Sequence, residues 1–130
     1  MSATYLDSSA IVKLVIAEAE SLALRQYLLQ RRPLVSSALA RTEVLRALLD
    51  EGDDGATRGR AVLASLDLIR VNDRVLDDAA RLLPSEVRSL DAIHLATAQQ
   101  LGGDLDQIVS YDDRMLRAAN WLGMRTARPV

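Results

Sequence analysis

Four acidic residues of this chain stand where acids could do chemistry. Asp7 ends a strand-like run, Thr4–Tyr5–Leu6, just before an apolar helical pattern opens. Glu43 lies inside a helical stretch, with Leu39 and Ala47 four residues away on either side. Asp91 falls in the first turn of the pattern "SLDAIHLATAQQL", and Asp112 follows the strand-like "IVSY". Asp7 has two open readings. It or Ser8 can cap the helix that follows, accepting from free N–H groups of the first turn, or it can be one corner of a metal site. Asp91 and Asp112 also sit at helix starts, where the helix dipole favours negative charge. Glu43 is harder to explain structurally, because a carboxylate among small and apolar neighbours is costly to bury without a cation.

The rest of the chain removes most competing chemistries. The only lysine is Lys13, too early for a receiver domain or a haloacid-dehalogenase-type phosphatase, and Ser9 stands where such a phosphatase needs its second aspartate. There is no G-x-x-x-x-G-K-[ST] loop, no glycine fingerprint after the first strand and no G-x-S-x-G elbow. The sole histidine, His94, one turn after Asp91, fits a packed or hydrogen-bonded helix residue, or a partner of Asp91, better than a catalytic base. What remains is an acid-only site. Oxygen ligands of that kind suit Mg²⁺ or Mn²⁺. Such an ion lowers the pKa of a bound water, so phosphodiester hydrolysis there requires no side-chain base.

The elements that must position these acids alternate. Strands are expected at Thr4–Asp7, Leu34–Ser36, Leu68–Val71, Ile108–Tyr111 and Met124–Ala127, with helices between them. The stretch from Ser8 to Gln30 holds one or two helices, and another opens on Ser36 or Ser37. "EGDDGATRG" reads as a mobile loop with Asp53 and Asp54 solvated. Short strands alternating with helices predict an α/β fold with a mostly parallel sheet of four to five strands, in one domain spanning residues 1–130. Ligands of open parallel sheets gather at the carboxyl ends of the strands, where Asp7 and Asp112 fall. Trp121, in "AANWLG", reads as core or interface packing.

Composition sets outer bounds. Apolar residues make up 49%, enough for a core, and cysteine is absent, which excludes disulfides and thiolate metal sites. No apolar run reaches the roughly 18 residues of a membrane span, and the first residues lack a signal-peptide pattern; a cytoplasmic location is expected. The net charge of −2 alone argues against a nucleic-acid binder. Yet 15 of the 16 basic residues are arginine, which suits phosphate recognition and also fits a genome rich in arginine codons.

"YLDSSAIVKL", "ARTEVLRAL", "LDAIHLATA" and "VSYDDRMLRAANWLGM" together resemble the PIN-domain family, in particular VapC-type toxin ribonucleases of prokaryotic toxin–antitoxin pairs. The resemblance spans nearly the whole chain. It implies a three-layer α/β/α sandwich and an endoribonuclease dependent on one or two Mg²⁺ or Mn²⁺ ions. It implies Asp7, Glu43, Asp91 and Asp112 as the catalytic, metal-binding acids, with Ser8 and Ser110 orienting carboxylates or waters. Family spacing favours Asp112 over its neighbour Asp113, which would cap the helix or contribute weakly. The implied partners are an RNA substrate and a small VapB-like antitoxin, in a homodimer or a toxin–antitoxin hetero-oligomer. Of the 18 acids, setting these four aside leaves 14 against 16 basic residues. Arg41, Arg46, Arg88 and Arg114 then become candidates for RNA phosphates. With three Tyr and one Trp, a wide base-stacking platform is not expected. The alternatives are a non-catalytic PIN-like module that binds RNA or protein, and an RNA-processing nuclease without an antitoxin.

Overall fold

The computed structural model describes residues 2–130. Five strands form one all-parallel sheet: β1 (Ala3–Leu6), β2 (Leu34–Ser37), β3 (Asp67–Ile69), β4 (Leu105–Val109) and β5 (Thr126–Ala127). Their spatial order is β3-β2-β1-β4-β5. The central β1 pairs with β2 through Tyr5↔Val35 and with β4 through Tyr5↔Ile108 and Leu6↔Val109. The chain winds outward from β1 to β2 and β3 on one side and to β4 and β5 on the other. The crevice beyond the end of β1 is therefore the switch point where ligands of open α/β sheets bind.

Seven α-helices cover the sheet: α1 (Ser8–Val15), α2 (Ser21–Leu28), α3 (Ala40–Ala47), α4 (Gly52–Ala64), α5 (Asp73–Ala80), α6 (Ser89–Gln99) and α7 (Asp113–Trp121). The period-two alternation of the strands divides the core. Leu6, Leu34 and Val109 point to one face, packed with Ile11, Leu24, Val44, Leu48 and Leu63 from α1 to α4. Tyr5, Val35 and Ile108 point to the other, packed with Leu95, Met115 and Ala119 from α6 and α7. These are the three layers of an α/β/α sandwich. No helix among the described residues is long and apolar enough to cross a membrane.

Three local expectations need correction. The helix expected at Ser36 or Ser37 begins at Ala40, because Leu34–Ser37 continues as β2 and all four of its residues are buried. Trp121 is not core: 62% of it is exposed. The supposed loop "EGDDGATRG" is the first half of α4. Gly52, at φ 68°, breaks the chain out of the preceding 3-10 turn. Asp53 and Asp54 then occupy the first turn of α4, where the dipole favours them. The glycines within α4 serve close approach rather than mobility. A Cβ on Gly59 would lie 2.5 Å from Leu48 Cδ1 and 3.3 Å from Leu45 Cδ2. Leu48 is 1% exposed and has no space to yield. Gly59→Val should therefore cost about 1–3 kcal/mol of overpacking, read as a lower urea midpoint, whereas Gly103→Ala, with open space around its Cβ, should leave the midpoint nearly unchanged.

Candidate active site

β1 delivers Asp7 to the carboxyl edge of the sheet, and α1 begins one residue later. The capping reading of Asp7 is borne out. Oδ1 accepts the Ala10 N–H at 3.0 Å, so Asp7 is the N-cap of α1. Yet the residue is only 4% exposed, and burial pushes its carboxyl above the ordinary aspartate range, despite hydrogen bonds from Ser110, Ser9 and the Ala10 amide. A cap contributes about 1 kcal/mol, whereas burying a carboxylate costs several. Capping alone does not account for an acid kept this deep; an exposed Asp, Ser or Asn would cap equally well.

Serines from two elements hold Asp7 in place. Ser9 Oγ donates to Oδ1 at 2.6 Å, and Ser110 Oγ, just past β4, donates to Oδ2 at 2.5 Å. The same Ser110 Oγ accepts the Asp112 N–H at 3.0 Å. Ser9 Oγ accepts the Tyr111 N–H at 2.9 Å. The Ser110–Asp112 turn is thereby tied to α1, which fixes where Asp112 starts α7. Asp112 is the N-cap of that helix, with Oδ1 accepting from Arg114 N–H at 2.9 Å.

Asp112 faces Asp91 across a shared cation. Arg88 places Nε 3.5 Å from Asp91 Oδ2 and Nη2 3.8 Å from Asp112 Oδ2. Burial, followed by the Asp112 charge, raises the Asp91 carboxyl, and Arg88 and His94 pull it partly back. Asp113 lies apart from this pair; it is exposed, and its carboxylate is taken by Arg128 of the C-terminal tail.

Glu43, in the first turn of α3, is oriented from the other side. Ser8 Oγ donates to Glu43 Oε1 at 2.6 Å, and His94 Nε2 lies 2.6 Å from the same oxygen. His94 is buried, and its Nδ1 lies 2.7 Å from the Tyr5 hydroxyl. Burial raises the Tyr5 phenol far above its usual value, so Tyr5 stays protonated. A carboxylate only accepts, so His94 Nε2 carries a proton and donates it to Glu43. Burial pushes the Glu43 carboxyl up, but the His94 and Ser8 hydrogen bonds outweigh it and leave it lowered. His94 thus serves Glu43 rather than Asp91. Sequence reasoning gave no role to Tyr5 or Ser9; the only signal was their adjacency to Asp7.

Asp7, Glu43, Asp91 and Asp112 come from four elements to one sheet edge, linked through Ser8–Ser9, Ser110, Arg88 and His94. No group of three or more Asp, Glu, His or Cys among the described residues is arranged to hold a metal ion by itself. The donor chemistry nevertheless fits a hard divalent ion. All four acids offer oxygen only, and a cationic guanidinium already spans the Asp91–Asp112 pair. Mg²⁺ in particular is held by one or two carboxylates together with water and substrate phosphate rather than by an all-protein cage.

Comparison with known proteins agrees with this architecture. The PIN domain family model matches residues 4–120. The chain is 63% identical over 129 residues to Ribonuclease VapC46 of Mycobacterium tuberculosis, covering 99% of each. It is 38% identical to Ribonuclease VapC47 of the same species, covering 96% of each. Among solved structures, Mycobacterium tuberculosis VapC20, a sarcin-ricin loop cleaving toxin, superposes with a TM-score of 0.76 at 17% identity over 97% of this chain and 99% of that one. A toxin–antitoxin complex from Klebsiella pneumoniae also gives a TM-score of 0.76, at 19% identity over 98% of each chain. These two share the fold. With near-complete coverage by the family model and by the VapC ribonucleases, the chain belongs to the PIN-domain family, within its VapC group.

Proposed function

We propose that this chain, as one nuclease domain, is an endoribonuclease that cuts RNA phosphodiesters at the edge carrying Asp7, Glu43, Asp91 and Asp112. It would act as the toxin of a VapBC-type pair. What carries the reading is the network that ties four acids from separate elements to the switch point of the sheet in a chain of this family. The acids would hold one or two Mg²⁺ or Mn²⁺ ions. Such an ion supplies an acidified water as nucleophile and neutralises charge on the phosphoryl oxygens.

The chain's own residues do the positioning. Asp91 and Asp112 present facing oxygens at the starts of α6 and α7. Ser110 and Ser9 hold Asp7 at a fixed angle, while Ser8 and His94 do the same for Glu43. Arg88 is exposed over most of its length, so it can trade the carboxylates for a phosphate of the RNA. The toxin–antitoxin neighbour supports a small VapB-like protein as inhibitor; the assembly would be a homodimer or a toxin–antitoxin hetero-oligomer.

Asp91→Asn should abolish RNA cleavage while the protein stays folded, and so should excess EDTA on the unaltered chain. Mn²⁺ should raise the melting temperature of the unaltered chain by binding only its folded state, and this rise should shrink in Asp91→Asn. Cleavage that persists in that variant or in EDTA overturns the site.

Arg88→Ala removes a resident competitor for the acids. Exposed ion pairs contribute about 0.2–1 kcal/mol, so Mn²⁺ should bind about 1.5- to 5-fold more tightly by calorimetry, even as RNA affinity falls.

The buried Asp7 gives a pH signature in the absence of metal. Its folded pKa lies above the unfolded value of about 3.9. The unfolded chain therefore releases this proton first, and stability drops as pH rises from that value through the raised one. Asp7→Asn should flatten that fall and melt higher than the parent at neutral pH in EDTA, followed by circular dichroism.

A further inference from the structure

A shallow cleft of about 470 Å³ opens beside α7, with Trp121 at one end and Pro84 and Val87 opposite. Trp121 is the chain's only tryptophan. It shares a helical stripe with Arg114 and Arg117, residues spaced by three and four positions, while Met115 and Ala119 turn into the core and the buried Ala118 also lines the cleft. Both arginines are exposed. Neither forms an ion pair among the described residues, in contrast to Arg88, Arg125 and Arg128. Glu86 is the anion lining the cleft; it accepts from Ser85 Oγ at 3.4 Å.

The cleft adjoins the acids along both walls. Val87 precedes Arg88, which spans Asp91 and Asp112. Arg114 follows Asp112 by two residues, and α7 then carries Trp121 about 10 Å further along its axis. A strand of RNA crossing the acids therefore meets two free guanidinium groups and then an open indole.

We propose that this cleft is a nucleotide subsite for RNA beside the scissile phosphate. Trp121 stacks on an unpaired base, and Arg114 and Arg117 hold the flanking phosphates. The inference rests on the ribonuclease reading above. A base and its phosphate offer a π-face next to negative charge, which is what an indole beside two unpaired guanidinium groups matches. A second copy of this chain suits the face poorly, because an isologous contact repeats the same patch on both partners and would crowd four guanidinium groups together.

The test uses the full chain carrying Asp91→Asn, so that RNA is bound without being cut, and a labelled single-stranded RNA oligonucleotide of mixed sequence. Binding is expected to quench the emission of the lone tryptophan. Trp121→Ala should weaken binding by about 5- to 150-fold, and Trp121→Phe, which keeps a stacking face, should recover most of it. Replacing both Arg114 and Arg117 with Ala should lower the slope of log affinity against log salt by about 1.4. With Asp91 restored, Trp121→Ala should raise KM and leave kcat nearly unchanged. Unquenched emission together with equal RNA affinity in Trp121→Ala overturns the subsite, as does a change in sedimenting mass in that variant without loss of RNA affinity, which would make the face a protein contact. If the unaltered chain cuts RNA and Trp121→Ala is indifferent, the subsite alone falls. If the unaltered chain neither binds nor cuts RNA, the ribonuclease reading falls with it.

Discussion

The whole site depends on keeping the Asp7 carboxylate buried at the end of the central strand. Most of the enclosure is unfavourable to its charge, and three donors offset part of the cost. Those donors reach beyond Asp7. Ser9 and Ser110 also receive the backbone N–H groups of Tyr111 and Asp112. The bonds that make burial tolerable therefore also lock the turn after β4 to the helix after β1. Asp112 is placed because Asp7 is satisfied. This coupling explains why small hydroxyl residues, rather than larger amides, occupy positions 9 and 110. Only a short side chain can both donate to a carboxylate and accept from a neighbouring strand's backbone in so tight a space.

The second half of the site is organised from beneath the sheet's edge. Tyr5 lies in β1, which ends just before Asp7, and packs on the face covered by α6 and α7. There it hydrogen-bonds His94, whose Nε2 holds the carboxylate of Glu43. A strand residue thus orients a helix acid through an imidazole on a third element. The Tyr5–His94 bond is buried and the His94–Glu43 bond partly so, and hydrogen bonds to charged groups are the strong ones. The pKa of Glu43 is lowered because it is less deeply buried and its two donors outweigh that cost, whereas Asp7 is buried too deeply for its three donors to offset and Asp91 has the Asp112 charge beside it.

Much of this was legible in the sequence because the elements follow local rules. The alternation of strands and helices fixed the sheet class, and the acids at strand ends fell where a parallel sheet gathers its functional groups. Asp113 was expected to cap the helix or contribute weakly; the cap is Asp112, and Asp113 pairs with Arg128. What was not legible depended on contacts between distant segments. His94 read as a packed or hydrogen-bonded helix residue, which it is, but that its bonds run to Tyr5 and Glu43 could not be read from its own helix. "EGDDGATRG" has the composition of a loop, yet Gly55 and Gly59 are required by the closeness of Glu51 and Leu48, which no local pattern reveals. Trp121 looked like packing because tryptophan usually is. Its exposure follows from the helical stripe that commits Met115, Ala118 and Ala119 to the core.

Arg88 offsets part of the repulsion between Asp91 and Asp112. It is not a deep counterion: its side chain is 61% exposed, so its bonds to Asp91 and Asp112 are screened and weak. That weakness suits the proposed site. A buried arginine would hold the pair so firmly that neither ion nor substrate could displace it, since breaking a buried pair costs about 3–5 kcal/mol. An exposed one steadies the two carboxylates and releases them at little cost. It sits at the junction of the acid edge and the Trp121 cleft, so the phosphate that draws it away would be carried by a strand already lying along α7. Access to the acids and engagement of the RNA backbone then become one event, governed by a single side chain.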